Sequence, residues 1–182
     1  MPAWVNLPNL LTLSRLILVP FVVYFIRDGR YTLGASLFGV AAFTDILDGA
    51  AARALGISTR AGAYLDPISD KCLLSGVFLA LAFAHLVPWW LVAIIFGRDV
   101  YILAGVAAAI LFTPIRGFPP SIWGKVSTFA QVMTAVLWMA RTIFATRVLV
   151  ALSSAILWPC AAFTLWSGLD YTWKGILALR KY

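Results

Sequence analysis

The segment Asp45-Ile-Leu-Asp48-Gly49-Ala-Ala-Ala52-Arg53, then eight residues, Gly62, three residues, Asp66, three residues and Asp70, decides how the whole chain is read. The 182 residues contain seven acids, all of them aspartate, and four lie in this segment. Both flanks are apolar enough to sit in a bilayer, where a carboxylate is costly and marks function by default. Asp45 and Asp48 are three apart and Asp66 and Asp70 are four apart, so on helices each pair shares a face. The short intervening run with two glycines reads as a turn. The spacing therefore predicts a helical hairpin with two carboxylates from each arm. Four converging carboxylates repel one another unless cations lie between them. Hard divalent ions with all-oxygen ligands, Mg²⁺ or Mn²⁺, suit such a site. Two ions roughly 3.5–4 Å apart form the arrangement used for displacement at phosphorus. Gly49 leaves a bare helix face beside Asp48, and the guanidinium of Arg53 matches a phosphate oxygen. One Asp–Arg pair at a helix end would be a solvated terminus. Four aspartates at this spacing, in a chain with so few acids, are not a chance arrangement.

Composition sets the medium. Hydrophobic residues make up 63% of the chain and charged residues 12%, against about half and a quarter in soluble domains. The expectation is an all-α polytopic membrane protein. At about 20 residues per span the length allows roughly six transmembrane helices, forming one domain over 1–182. Residues 1–8 read as an interfacial segment anchored by Trp4, without the basic start and cleavage site of a signal peptide. The predicted spans are 9–26, 31–53, 62–86, 88–112, 122–140 and 148–169. The net charge of +7 suits an anionic lipid surface or anionic substrates. Its basic residues are scattered, which argues against nucleic acid. Cys72 and Cys160 sit in apolar runs and read as packing residues. His85, beside Pro88, Trp89 and Trp90, reads as interfacial rather than catalytic.

Three cations stand apart from the motif. Arg15 lies near the start of the first span. Arg98 and Asp99 lie inside the fourth, too deep for casual solvation, so they should face protein or a wet cavity; Arg98 is a candidate for a substrate phosphate. Lys125 opens the fifth span. With the amino terminus inside, Arg53, Arg60, Lys71, Arg116, Lys125, Lys174, Arg180 and Lys181 face the cytoplasm, eight against the four of Arg27, Arg30, Arg141 and Arg147. That bias places the aspartate motif on the cytoplasmic side.

The motif resembles that of the CDP-alcohol phosphatidyltransferases, whose fixed positions are all filled here: Asp45, Asp48, Gly49, Ala52, Arg53, Gly62, Asp66 and Asp70. Asn6, Asn9, Thr12, Arg15 and Pro20 also resemble the family's first helix, which lines its active site, and Gly124-Lys125 resembles another family position. The resemblance implies that Asp45, Asp48 and Asp66 bind metal, with Asp70 as a further ligand or as general base. It implies that Gly49, Ala52 and Arg53 contact CDP, and that Arg15, Arg98 and Lys125 receive the acceptor or a phosphate. The implied substrate is CDP-diacylglycerol, with CMP released to a polar cavity open to the cytoplasm. The implied setting is a bacterial inner membrane and a homodimer.

The acceptor expected is glycerol-based. Gly97-Arg98-Asp99-Val100 resembles the cardiolipin synthases of this fold, and no cation follows about nine residues on, which favours phosphatidylglycerol. Trp123-Gly-Lys and Thr164-Leu-Trp also resemble phosphatidylglycerophosphate synthases, which keeps glycerol 3-phosphate as the alternative. Two other classes fit less well. A small membrane cation transporter would spread acids along a pore, whereas these cluster. A metal-dependent prenyl-chain enzyme would space its aspartates differently and lack the Gly-x2-Ala-Arg insert.

Overall fold

A computed structural model describes the backbone of residues 7–55, 60–112 and 121–179, and the side chains of 13–44, 69–109, 111–112 and 121–177. Every regular element among the described residues is helical, as the composition led us to expect. The helices are α1 (Leu7–Arg27), α2 (Tyr31–Leu55), α3 (Arg60–Phe83), α4 (Trp89–Phe112), α5 (Ile122–Phe144), α6 (Arg147–Ala155) and α7 (Leu157–Leu179).

The chain forms two compact units, Met1–Leu86 and Val87–Tyr182. In the first, α1 packs against both α2 and α3. Small residues let the backbones approach. A Cβ on Gly34 of α2 would come within 2.8 Å of Ile26, and one on Gly76 of α3 within 3.1 Å of both Val19 and Val23. Val22, Ile26, Phe38, Val77, Phe78 and Leu81 fill the space around these approaches. In the second unit, α7 packs against α4 and α5, and α6 against α5 and α7.

The predicted sixth span, 148–169, is two helices that run on to Leu179. Ile156 separates them. Pro159 has no N–H to give the carbonyl of Ala155, while Ile156 N–H still bonds Leu152 O at 2.9 Å and Cys160 N–H bonds Ile156 O at 3.0 Å. The helical path therefore continues through the break. Among the described residues, two stretches are long and apolar enough to cross a membrane, Trp89–Ala109 and Arg147–Leu177.

Burial does not sort these residues by polarity. Arg15, Ser127, Gln131, Thr134, Thr164 and Ser167 are buried, while Ile17, Phe21, Leu103, Phe112, Trp158 and Leu169 are exposed. Of the two cysteines, Cys160 packs as expected, but Cys72 is exposed. Where the outside of the helices is as apolar as the inside, an apolar run no longer tells which face is buried.

Candidate active site

Helices α2 and α3 carry the motif positions, 45 to 53 near the end of one and 62 to 70 near the start of the other. The side chains of Asp45, Asp48, Gly49, Ala52, Arg53, Gly62 and Asp66 lie outside the described residues. Asp70 is described. Its Oδ1 accepts from Nη1 of Arg15, across from α1. The same Nη1 donates to Ser69 Oγ at 3.2 Å. Arg15 is wholly buried, whereas 44% of the Asp70 side chain is exposed. A buried guanidinium persists where it is paired and hydrogen-bonded, and the close approach at Gly76 brings α3 within its reach. The arrangement anchors Asp70 from behind and leaves its other side accessible. Of the four carboxylates, Asp70 is the one whose surroundings can be tested against a metal. A partly exposed, oriented oxygen donor fits a hard cation. Among the described residues alone, no group of three acids, histidines or cysteines gathers to hold one.

The second unit holds the other two cations. Arg98 on α4 is 9% exposed and pairs with Asp99 at 2.8 Å. Its Nε donates to Ser167 Oγ of α7 at 2.9 Å, and its Nη2 donates to the same oxygen. The guanidinium carbon lies 5.9 Å from the ring centre of Tyr171. The arginine therefore faces protein, as a cation inside an apolar helix should. It also lines a cavity of about 490 Å³ between α4 and α7. Lys125 is exposed in the first turn of α5. Just before it, Ser121 has the extended backbone of a cap, φ −80° and ψ 139°, yet makes no side-chain cap bond. Its hydroxyl donates instead to Asp170 of α7, which also pairs with Lys174 at 2.9 Å.

A buried polar seam below this end fixes α5 on α7. Ser127 donates to Thr164 at 3.2 Å. Gln131 Nε2 reaches both Ser127 and Thr164 at 3.3 Å. Thr134 and Thr164 return their hydroxyls to their own helices, on Ala130 O at 2.8 Å and Cys160 O at 2.7 Å. Ser69, Ser121, Ser167 and this seam were missed in the sequence. A signal existed, because Ser127, Gln131 and Thr134 recur at helical spacing, as do Cys160, Thr164 and Ser167.

Similarity to known proteins agrees with the motif. The family model described as CDP-alcohol phosphatidyltransferase matches residues 5–166. A probable cardiolipin synthase (CMP-forming) of Drosophila melanogaster is 34% identical over 145 residues, covering 71% of this chain and 45% of that protein. This chain thus spans less than half the length of the fly protein. A CDP-diacylglycerol–glycerol-3-phosphate 3-phosphatidyltransferase of Bacillus subtilis is 30% identical over 190 residues, covering 96% of this chain and 97% of the relative. A protein of the same name in Aquifex aeolicus is 34% identical over 183 residues, covering 97% and 99%. The likeness thus reaches well beyond the eight motif positions, and the chain belongs to the CDP-alcohol phosphatidyltransferase family.

Proposed function

We propose that the chain transfers a phosphatidyl group from CDP-diacylglycerol to a glycerol-based alcohol and releases CMP, a step of phospholipid biosynthesis. The observation that carries this reading is the complete motif on two consecutive helices, with its last aspartate anchored by a buried arginine. Asp45, Asp48, Asp66 and Asp70 would hold Mg²⁺ or Mn²⁺, in two ions. Bound there, metal would supply positive charge to offset the negative charge of the diphosphate and of the departing CMP. Gly49, Ala52 and Arg53 take the CDP moiety. Asp70 accepts the proton of the acceptor hydroxyl as that oxygen bonds the lipid phosphorus and the bond to CMP breaks. Arg15 holds Asp70 in place for this, and Arg98 and Lys125 receive the acceptor's phosphate.

The setting proposed is a bacterial inner membrane crossed six times, by α1 to α5 and by α6 with α7 as one span. The positive-inside count supports an active site open to the cytoplasm. Small-residue helix faces are compatible with a homodimer.

Phosphatidylglycerol is the acceptor proposed first. Arg98 is already shared with Asp99, and a phosphodiester carries less negative charge than a phosphomonoester. Glycerol 3-phosphate is the second reading, favoured by the end-to-end alignment with the two bacterial relatives named for it. The test is transfer from labelled CDP-diacylglycerol with Mg²⁺ or Mn²⁺, each acceptor in its own tube, with Asp70→Asn as control. Cardiolipin as product supports the first reading and phosphatidylglycerophosphate the second. No CMP release with either overturns both.

A further inference from the structure

The geometry points to Ser167 as a positioning residue for Arg98, and to Gly124 as the position that keeps its guanidinium approachable. Together they present Arg98 as a two-pronged receptor for the phosphate of the acceptor. The inference rests on the acceptor role proposed above for Arg98.

An arginine carries five N–H donors in one planar fork. Three are engaged here. Nε and one donor of Nη2 converge on the single oxygen of Ser167, and one donor of Nη1 goes to Asp99. One donor remains on each terminal nitrogen, and that pair matches two oxygens of a phosphate. The bond to Asp99 alone would leave the plane free to turn about it. Two bonds to one fully buried hydroxyl fix the plane. A Cβ on Gly168 would lie 3.7 Å from Arg98 Cγ, so the stem of the arginine rests on bare backbone of α7.

Gly124 lies against the tip of the same side chain. A Cβ there would sit 3.4 Å from Nη2 and 3.5 Å from the Tyr171 ring. A methyl would fit without a clash, but it would cover the nitrogen that still has a donor to give. The bare backbone at 124 leaves that nitrogen open.

The test is steady-state kinetics of the full chain with CDP-diacylglycerol and, separately, phosphatidylglycerol or glycerol 3-phosphate, whichever it uses. Ser167→Ala and Gly124→Ala should each raise the acceptor KM about tenfold, the effect of one well-placed hydrogen bond to a charged group. The KM for CDP-diacylglycerol should not move. Arg98→Ala should raise the acceptor KM further, and adding Ser167→Ala to it should change nothing more, because a positioning residue acts only through the residue it positions. If Arg98→Ala raises the acceptor KM and Ser167→Ala does not, the positioning role fails while the acceptor reading stands. If Arg98→Ala leaves the acceptor KM unchanged, the acceptor reading fails and this inference with it. An effect of Ser167→Ala that persists in the Arg98→Ala background, or that falls equally on both substrates, assigns Ser167 to packing and overturns the proposal.

Discussion

Arg15 and Arg98 are both sunk in apolar helices and both meet an aspartate, yet the two pairings hold different things. Arg15 reaches Asp70 across 55 positions of sequence and ties α1 to α3. Arg98 meets its own neighbour, Asp99, so that ion pair joins no helices. The tie from α4 to α7 is the hydroxyl of Ser167 instead. Farther along, α5 and α7 are joined by an amide and hydroxyls, Gln131, Ser127 and Thr164. In the first unit, α1 is tied to α3 by a charge pair that includes a motif aspartate, with a bond to Ser69 beside it. In the second, the ties are hydrogen bonds to hydroxyls, from the Arg98 guanidinium between α4 and α7 and from neutral groups between α5 and α7. A charge pair fixes the orientation of a motif carboxylate, and hydrogen bonds to hydroxyls hold the helices of the second unit in register.

The largest effect expected tests whether the first unit carries the chemistry. Asp66→Ala should abolish metal-dependent transfer while leaving the melting temperature in detergent unchanged. Substantial activity at unchanged stability would remove Asp66 from the metal ligands and break the contrast between the units. Next in size is Arg15→Ala. It deletes a buried cation and leaves Asp70 without that partner, a loss of about 3 kcal/mol in stability, at the low end for a broken buried pair because Asp70 is partly exposed. Arg98→Ala should cost about 1–2 kcal/mol, because it removes hydrogen bonds but no charge tie between helices. Denaturation of the two variants side by side checks the order. Equal losses would mean that the partner's distance in sequence is irrelevant.

The same contrast explains what was legible in the sequence. The aspartate motif stands out because acids are rare here and spaced in threes and fours, so composition and periodicity point the same way. The helical class follows from the apolar excess. Arg98 was expected to face protein, and it does. The partner of Arg15 was not legible, because no local pattern relates position 15 to position 70. That pairing is set by the close approach of α1 and α3 at Gly76. Ser121 was missed because a serine just before a helix reads as a cap, and Ser167 because the role of a hydroxyl at helical spacing depends on which helix lies opposite. Cys72 misled because hydrophobicity does not separate inside from outside when both are apolar. The break at Ile156 was written in Pro159, but the apolar run continues across it and hid the signal.

A smaller effect sharpens the neutral side of the comparison. Gln131→Leu should cost about 1 kcal/mol, within the range measured for polar contacts between membrane helices. Ser127 and Thr164 remain bonded to each other without it, so neither is orphaned. A loss as large as that of Arg15→Ala would show that the seam behaves as one cooperative network, and the distinction between charged and neutral ties would lose its force.

The smallest effects lie at the helix ends, where, among the described residues, three chain reversals use the left-handed conformation. Gly29 (φ 77°) follows α1, His85 (φ 57°) follows α3 and Ala145 (φ 47°) follows α5. At His85 the N–H groups of residues 85 and 86 return to Ala82 O at 3.0 Å and Leu81 O at 2.9 Å, the paired bonds of a Schellman stop. Ala145 N–H returns to Arg141 O at 3.0 Å. The left-handed region costs a residue with a Cβ roughly 1–2 kcal/mol, and glycine gives back about 0.4–1 of that through its freer unfolded chain. Gly29→Ala should therefore lose about 1 kcal/mol, and Ala145→Gly should gain about 0.5, read as opposite shifts in melting temperature. If Ala145→Gly destabilises instead, then the Ala145 methyl contributes contacts worth more than the strain. The α5–α6 turn would then be held by packing, whereas the reversal at Gly29 rests on backbone conformation and backbone hydrogen bonds, Gly29 N–H to Ile26 O at 3.2 Å and Arg30 N–H to Phe25 O at 2.9 Å, with no atom within 4 Å of where its Cβ would be.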